Sequence, residues 1–144
     1  MSAQSPPATL GLCHLALAVR DLEACERFYV DVLGMRVEWR PDANNVYLTS
    51  GTDNLALHRA AGVDTPSGRI VKPFPIRQDL DHIGFVMKDA EAVDVWHRHL
   101  MAHGVVIHAP PRTHRDGARS LYCRDPEGRL VQLIYHPPLS DRRP

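Results

Sequence analysis

The sequence has no excess of charge of either sign: 17 Lys and Arg stand against 17 Asp and Glu. A neutral total supplies no field to gather nucleic acid or an anionic membrane surface, so neither is expected as a partner. No apolar run approaches the roughly 18 residues needed to span a bilayer. The start, MSAQSPPATLGL, has neither the basic n-region nor the apolar h-region of a secretory leader, so the expected location is cytoplasmic. Cysteine is scarce. Cys13, Cys25 and Cys123 are odd in number and lie in apolar stretches, which argues against a disulfide frame and for reduced, structural thiols. Also missing are a cysteine pair of zinc-site spacing, a glycine loop that cradles phosphate, and a Ser or Cys nucleophile motif.

What remains is an ordinary globular composition, 44% hydrophobic and 24% charged, with two biases. Fifteen of the 17 basic residues are Arg, which suits bidentate contacts to anions. Nine residues are His, more than double a common share, and this asks whether some of them form a site.

An internal repeat organises the chain. His14-Leu15-Ala16-Leu17-Ala18-Val19-Arg20-Asp21 matches His82-Ile83-Gly84-Phe85-Val86-Met87-Lys88-Asp89 in kind at each position, 68 residues later. Each copy reads as a strand ending in an Asp placed to cap a helix. In the first half, Leu22, Cys25, Phe28, Tyr29, Val32 and Leu33 recur at helical spacing before Gly34; in the second, Val93, Trp96, Leu100 and Met101 do so before Gly104. Three short strands follow each helix: Met35 to Arg40, Asn45 to Ser50 and Asn54 to Arg59, then Val105 to His108, Arg119 to Arg124 and Arg129 to His136. Each half is therefore βαβββ, giving an α+β chain with a first module over 11–60, a linker or loop over 61–79 and a second module over 80–136. Ala109 to Gly117 reads as a second irregular, charged loop, and the first ten residues and the tail after His136 read as peripheral arms. A half of roughly 55 residues has too little core to be comfortable alone, so the modules are expected to share buried surface.

Strand parity assigns the faces. Leu15, Leu17 and Val19 share the side suited to the helix, whereas His14, Ala16 and Ala18 share the other, and Ile83, Phe85 and Met87 against His82, Gly84 and Val86 repeat this. Both histidines thus project away from the helices beside small residues, toward one concave surface.

The paired His-bearing strands, the two βαβββ halves and the Asp125-Pro126-Glu127-Gly128 turn before the last strand resemble the vicinal oxygen chelate superfamily, which includes glyoxalases, bleomycin resistance proteins and extradiol dioxygenases. The resemblance covers about Gly11 to His136. It implies a cup-shaped sheet holding a divalent metal, Fe2+ or Mn2+ in preference to Zn2+ or Ni2+, and a homodimer. His14 and His82 fall on two of the four ligand positions. The other two hold Ala56 and Gln132 where the family often has Glu; Ala56 cannot bind metal, and Gln132 can offer an amide oxygen. His58, two residues from Ala56 on the same face, could substitute only if the register or the strand twist brings it inward, and otherwise stands as a pocket-wall or sheet-end residue.

A more local resemblance, to the extradiol dioxygenase signature, runs from Arg112 to Gln132 through His114, Leu121-Tyr122 and the Asp125–Gly128 turn. It departs at Arg112, where a small or branched residue is usual, and at Gln132. It implies that His114 and Tyr122 handle protons on an aromatic or vicinal-oxygen substrate, with Arg112, Arg115 and Arg119 holding an anionic group. The alternative readings are a metal-free small-molecule binding protein of the bleomycin-resistance kind and a glyoxalase-type lyase; Ala56 and Gln132 argue against the lyase, which generally needs a carboxylate base. His99 and His103 have a spacing capable of zinc binding but lie off the apolar stripe of their helix, near a C-terminus that favours imidazolium. The Asp125–Gly128 turn has a complete structural explanation and is assigned no catalysis.

Overall fold

The computed structural model describes Leu12 and residues 14–60 and 80–141; the expected linker over 61–79, the first ten residues and Cys13 lie outside the described residues. The chain runs β1 (His14–Val19), α1 (Leu22–Arg27) continuing as a π-helical turn over Phe28–Val32, β2 (Arg36–Asp42), β3 (Asn45–Thr49), β4 (Asn54–Arg59), β5 (His82–Val86), α2 (Ala90–Ala102), β6 (Ile107–Thr113), β7 (Arg119–Arg124), β8 (Leu130–Tyr135) and α3 (Pro137–Ser140). Two four-stranded mixed sheets result, ordered β1-β4-β3-β2 and β5-β8-β7-β6, and the repeat is visible in their identical connectivity. In each, the first strand pairs in parallel with the last, a pairing that needs the intervening helix as crossover.

The helix starts follow from the aspartates. The Asp21 carboxylate accepts from the Ala24 amide at 2.9 Å and that of Asp89 from the Ala92 amide at 2.7 Å, each satisfying an orphan donor of the first turn. The helices stop at Gly34 and Gly104, whose φ angles of 80° and 70° are open to glycine and strained for other residues.

Both modules contribute to one core. Leu17, Val19, Leu22, Cys25 and Tyr29 of the first are buried in the same cluster as Val93, Leu100, Leu121, Val131 and Leu133 of the second. Polar groups tie the modules as well. Tyr29 donates its hydroxyl to Asp125 at 3.0 Å in the buried interior, and the Glu127 carboxylate accepts from the backbone amides of Arg20 and Asp21. His99 reaches the Val32 carbonyl at 2.9 Å. The Asp125–Gly128 turn thus does more than reverse the chain: it clamps the second module onto the start of α1.

Two expectations need correction. Ala109 to Gly117 is not one irregular loop, because β6 continues through Pro110 and Pro111 to Thr113 and only the segment from His114 to Gly117 turns. Proline is tolerated there because β6 is an edge strand, and the two prolines fall where its register with β7 shifts between Ala109 and Arg112. The tail after His136 is not wholly an arm either. It forms α3, and Ser140, which is buried, accepts from the His136 amide through its hydroxyl.

Candidate metal and substrate site

Register builds the site. Along β1 and β4, His14 lies beside Asn54, Ala16 beside Ala56 and Ala18 beside His58, and β3 continues the face with Tyr47 opposite Ala56. In the second sheet, Gly84 lies beside Gln132 and Gln132 opposite Tyr122. These are the sheet faces turned away from the helices: His14, Ala16, Ala18, His82 and Gly84 are exposed, whereas Leu17 and Val19 are buried. The alternation expected from sequence holds. A cavity of about 530 Å3 has His14, His82 and Asn54 in its lining, but the rest of its wall includes helix-side residues such as Leu15, Phe85 and Trp96, and Gln132, Tyr122 and His114 do not line it.

Each of these histidines is anchored by one ring nitrogen. Nδ1 of His14 lies 2.6 Å from Oδ1 of Asn54, and Nδ1 of His82 lies 2.5 Å from a carboxylate oxygen of Asp81. An ionised carboxylate only accepts, so Nδ1 of neutral His82 carries the proton and Nε2 is left with its lone pair. Side-chain acceptors on the far nitrogen orient metal-ligating imidazoles in the same way.

Gln132 donates from Nε2 to the Tyr122 hydroxyl at 2.9 Å, which leaves its Oε1 on the Gly84 side, where a Cβ at position 84 would come within 3.4 Å of it. Tyr122 in turn stands edge-on to His82, with ring centroids 5.3 Å apart and planes at 86°. His82, Tyr122 and Gln132 therefore form one cluster. Ala56, in the corresponding position of the first sheet, is fully buried and offers no donor atom. Among the described residues no group of three His, Cys, Asp or Glu is placed to hold a metal ion. The donors expected from sequence, two imidazoles and a neutral amide oxygen, lack the carboxylate of a non-haem iron triad.

The remaining expected site residues divide. His114 lies on the Tyr122 face, its Nε2 2.9 Å from the Ser120 hydroxyl. Arg112 stands opposite Ser120 on β6, and Arg115 lies in the turn that follows; both are exposed. Arg119 is on the helix side, held by Asp94 of α2 through two hydrogen bonds of 3.0 and 2.6 Å, and is withdrawn from any substrate role. The same contact keeps the Asp94 carboxyl below its usual range, the hydrogen bond from Arg119 being the main cause. His58 keeps to the open face, bonded to Asn45 at 2.6 Å and edge-on to Tyr47, a wall residue by its contacts. His99 and His103 have ring centroids 4.2 Å apart with planes tilted by 43°, and one ring nitrogen of each is engaged with a backbone carbonyl.

Sequence reasoning missed Asn54, Asp81, Glu38 and Trp39. Asp81 was legible as the neighbour of His82. Asn54 and Glu38 could be found only from the pairing of β1, β4, β3 and β2, and Trp39 only from a bulge in β2.

A family model described as the Glyoxalase/Bleomycin resistance protein/Dioxygenase superfamily matches residues 11–133. The chain is 35% identical over 133 residues to the uncharacterized protein PA2024 of Pseudomonas aeruginosa, covering 89% of this chain and 90% of that protein. It is 29% identical over 122 residues to biphenyl-2,3-diol 1,2-dioxygenase 3 of Rhodococcus globerulus, covering 85% of this chain and 61% of that enzyme. A solved structure similar in fold is a lactoylglutathione lyase from Agrobacterium tumefaciens, with a TM-score of 0.71 and 24% identity over 94% of this chain and 98% of that one.

Proposed function

The chain belongs to the glyoxalase/bleomycin resistance protein/dioxygenase superfamily, and from that premise we propose that it is a metal-dependent enzyme, extradiol-dioxygenase-like, acting on a small aromatic or vicinal-oxygen substrate. The observation that carries this reading is the matched anchoring of His14 and His82 through Nδ1 on pseudo-equivalent strands, which leaves the Nε2 of each neutral ring as the nitrogen with the lone pair. His14 and His82 would hold Fe2+ or Mn2+, with Gln132 Oε1 as a third donor. When bound, the metal supplies a Lewis acid on which two neighbouring substrate oxygens chelate.

The chain's own groups then follow from placement. Tyr122, against His82 and Gln132, would exchange a proton with a substrate hydroxyl, since its own hydroxyl can both donate and accept. His114, with its Nε2 toward Ser120, is the second proton-handling group, and Arg112 and Arg115 are the cations left to meet an anionic substituent. Two imidazoles and an amide leave the dication uncompensated, so the site favours a substrate that arrives anionic. The described edges of β1 and β5 each have a strand on one side only, and we take a second copy of the chain to complete the cup. Light scattering on the purified protein is expected to return twice the 16.2 kDa chain mass, and a monomer at micromolar concentration contradicts this.

A second reading has its own support: no carboxylate donor joins the two histidines among the described residues, which suits a cup that sequesters a small molecule without metal. Metal analysis of protein purified without a His tag separates the two. Bound Fe or Mn, or uptake of either on titration, supports the enzyme; no bound metal and no uptake of Fe2+, Mn2+, Ni2+ or Zn2+ leaves the sequestering protein.

A further inference from the structure

Strand β2 carries an irregularity with a chemical consequence. Val37 pairs with Leu48 and Trp39 with Tyr47, so two residues separated by one on β2 face consecutive residues on β3, and Glu38 is the extra residue of a β-bulge. A bulge re-aims side chains that strict alternation would turn the other way. Here the re-aimed residue is Trp39, which packs on Tyr47 with ring centroids 5.1 Å apart; Glu38, already on that face by alternation from Val37, reaches Asn54, whose Nδ2 donates to its carboxylate at 2.6 Å. Asn54 is the residue whose Oδ1 meets Nδ1 of His14 at 2.6 Å. His14, Asn54 and Glu38 thus form an unbroken chain of hydrogen bonds across three strands.

The chemistry of its far end dictates the near end. An ionised carboxylate has no proton to give, so Asn54 must turn its NH2 toward Glu38 and its oxygen toward His14. An amide oxygen only accepts, so the proton of neutral His14 must sit on Nδ1. The lone pair is then on Nε2, the nitrogen a metal or substrate proton can use. We propose that Glu38 is a positioning residue that sets the tautomer of His14 through Asn54. His82 receives the same instruction directly from Asp81, and the first module, with no acidic residue beside its histidine in sequence, obtains it from β2. This inference rests on the metal-site reading for its purpose, though not for its proton logic.

The test is the tautomer of His14 in metal-free protein labelled with 15N at histidine, at a pH where the ring is neutral, its signals assigned by their loss in His14→Gln. The parent protein is expected to show the Nδ1–H form. Glu38→Lys places a donor where the acceptor stood, so Asn54 should turn over and His14 should change to the Nε2–H form; Glu38→Gln, able to give or accept, should allow both. Adding Asn54→Asp to Glu38→Lys should restore Nδ1–H, because a carboxylate beside His14 no longer depends on position 38. Mn2+ affinity should fall roughly 10-fold or more in Glu38→Lys and recover in the double variant, in the range usual for groups behind a ligand. An Nε2–H ring in the parent, or a tautomer unmoved by Glu38→Lys, overturns the proposal. Tautomers that change as described in a protein that takes up no metal support the positioning role and overturn the metal-dependent reading instead.

Discussion

At the scale of single residues, the charge of the proposed metal site turns on Gln132. Its amide is held by the Tyr122 hydroxyl with Oε1 toward Gly84, so a carboxylate of similar length would present an anionic oxygen in the same place. Gln132→Glu is expected to raise Mn2+ affinity about 10-fold or more by isothermal titration, because it completes a two-His, one-carboxylate set. An unchanged affinity means that the side chain does not face the metal. Tyr122→Phe removes the hydroxyl while keeping the ring against His82. Turnover of a catechol-type substrate should drop roughly 100-fold, in the range of general acid–base roles, with metal content nearly unchanged. Equal loss of both would assign Tyr122 to holding the site together and not to proton transfer.

At the scale of elements, the link between α2 and β7 shows how an arginine can be spent on structure. Arg119 shares its face of β7 with the buried Leu121 and Cys123, and Asp94 on α2 is placed to take its guanidinium. The Asp94 carboxyl has a folded-state pKa below its ordinary 3.8, so the link contributes stability that is present above that value and is lost as pH falls through the lower, folded one. Asp94→Asn should therefore flatten the acid limb of a plot of urea midpoint against pH between about 5 and 2. A parallel acid limb in the variant would show that the link contributes nothing to acid stability. The helix caps at Asp21 and Asp89 and the stops at Gly34 and Gly104 were readable from sequence because they depend on residues within one turn of each other. The path of β6 was not, because Pro110 and Pro111 signal a break locally, whereas an edge strand needs no outward amide.

At the scale of the whole molecule, the two modules fold as partners. Their buried residues form one cluster, and Asp125 sits at its polar centre, accepting from the Tyr29 hydroxyl and from the amides of Glu127 and Arg129 while Arg129 balances its charge. Burial pushes the Tyr29 hydroxyl pKa well up, so it remains a donor to Asp125 at any physiological pH. Asp125→Ala leaves several buried donors and Arg129 without their acceptor, and should cost about 3–5 kcal/mol in urea unfolding. Trp39 reports on the first module and Trp96 on the second, and in single-Trp versions of the variant both should shift by the same amount. Separate midpoints would show two independent units and contradict a shared core.

The sequence by itself determined the repeat, the βαβββ order, the helix ends and the outward faces of His14 and His82, since each depends on period and on neighbours a few residues apart. It also located Gln132 and Tyr122 on facing strands, because the antiparallel β7 and β8 are joined by a short, recognisable turn. The tertiary structure alone decided the rest. That Arg119 turns inward, that Glu127 holds the chain ahead of α1 from more than 100 residues away, and that Glu38 and Asn54 stand behind His14 all depend on inter-strand register and packing between modules. Such contacts join residues whose spacing along the chain carries no period, and only the closure of sheets over a common core brings them together.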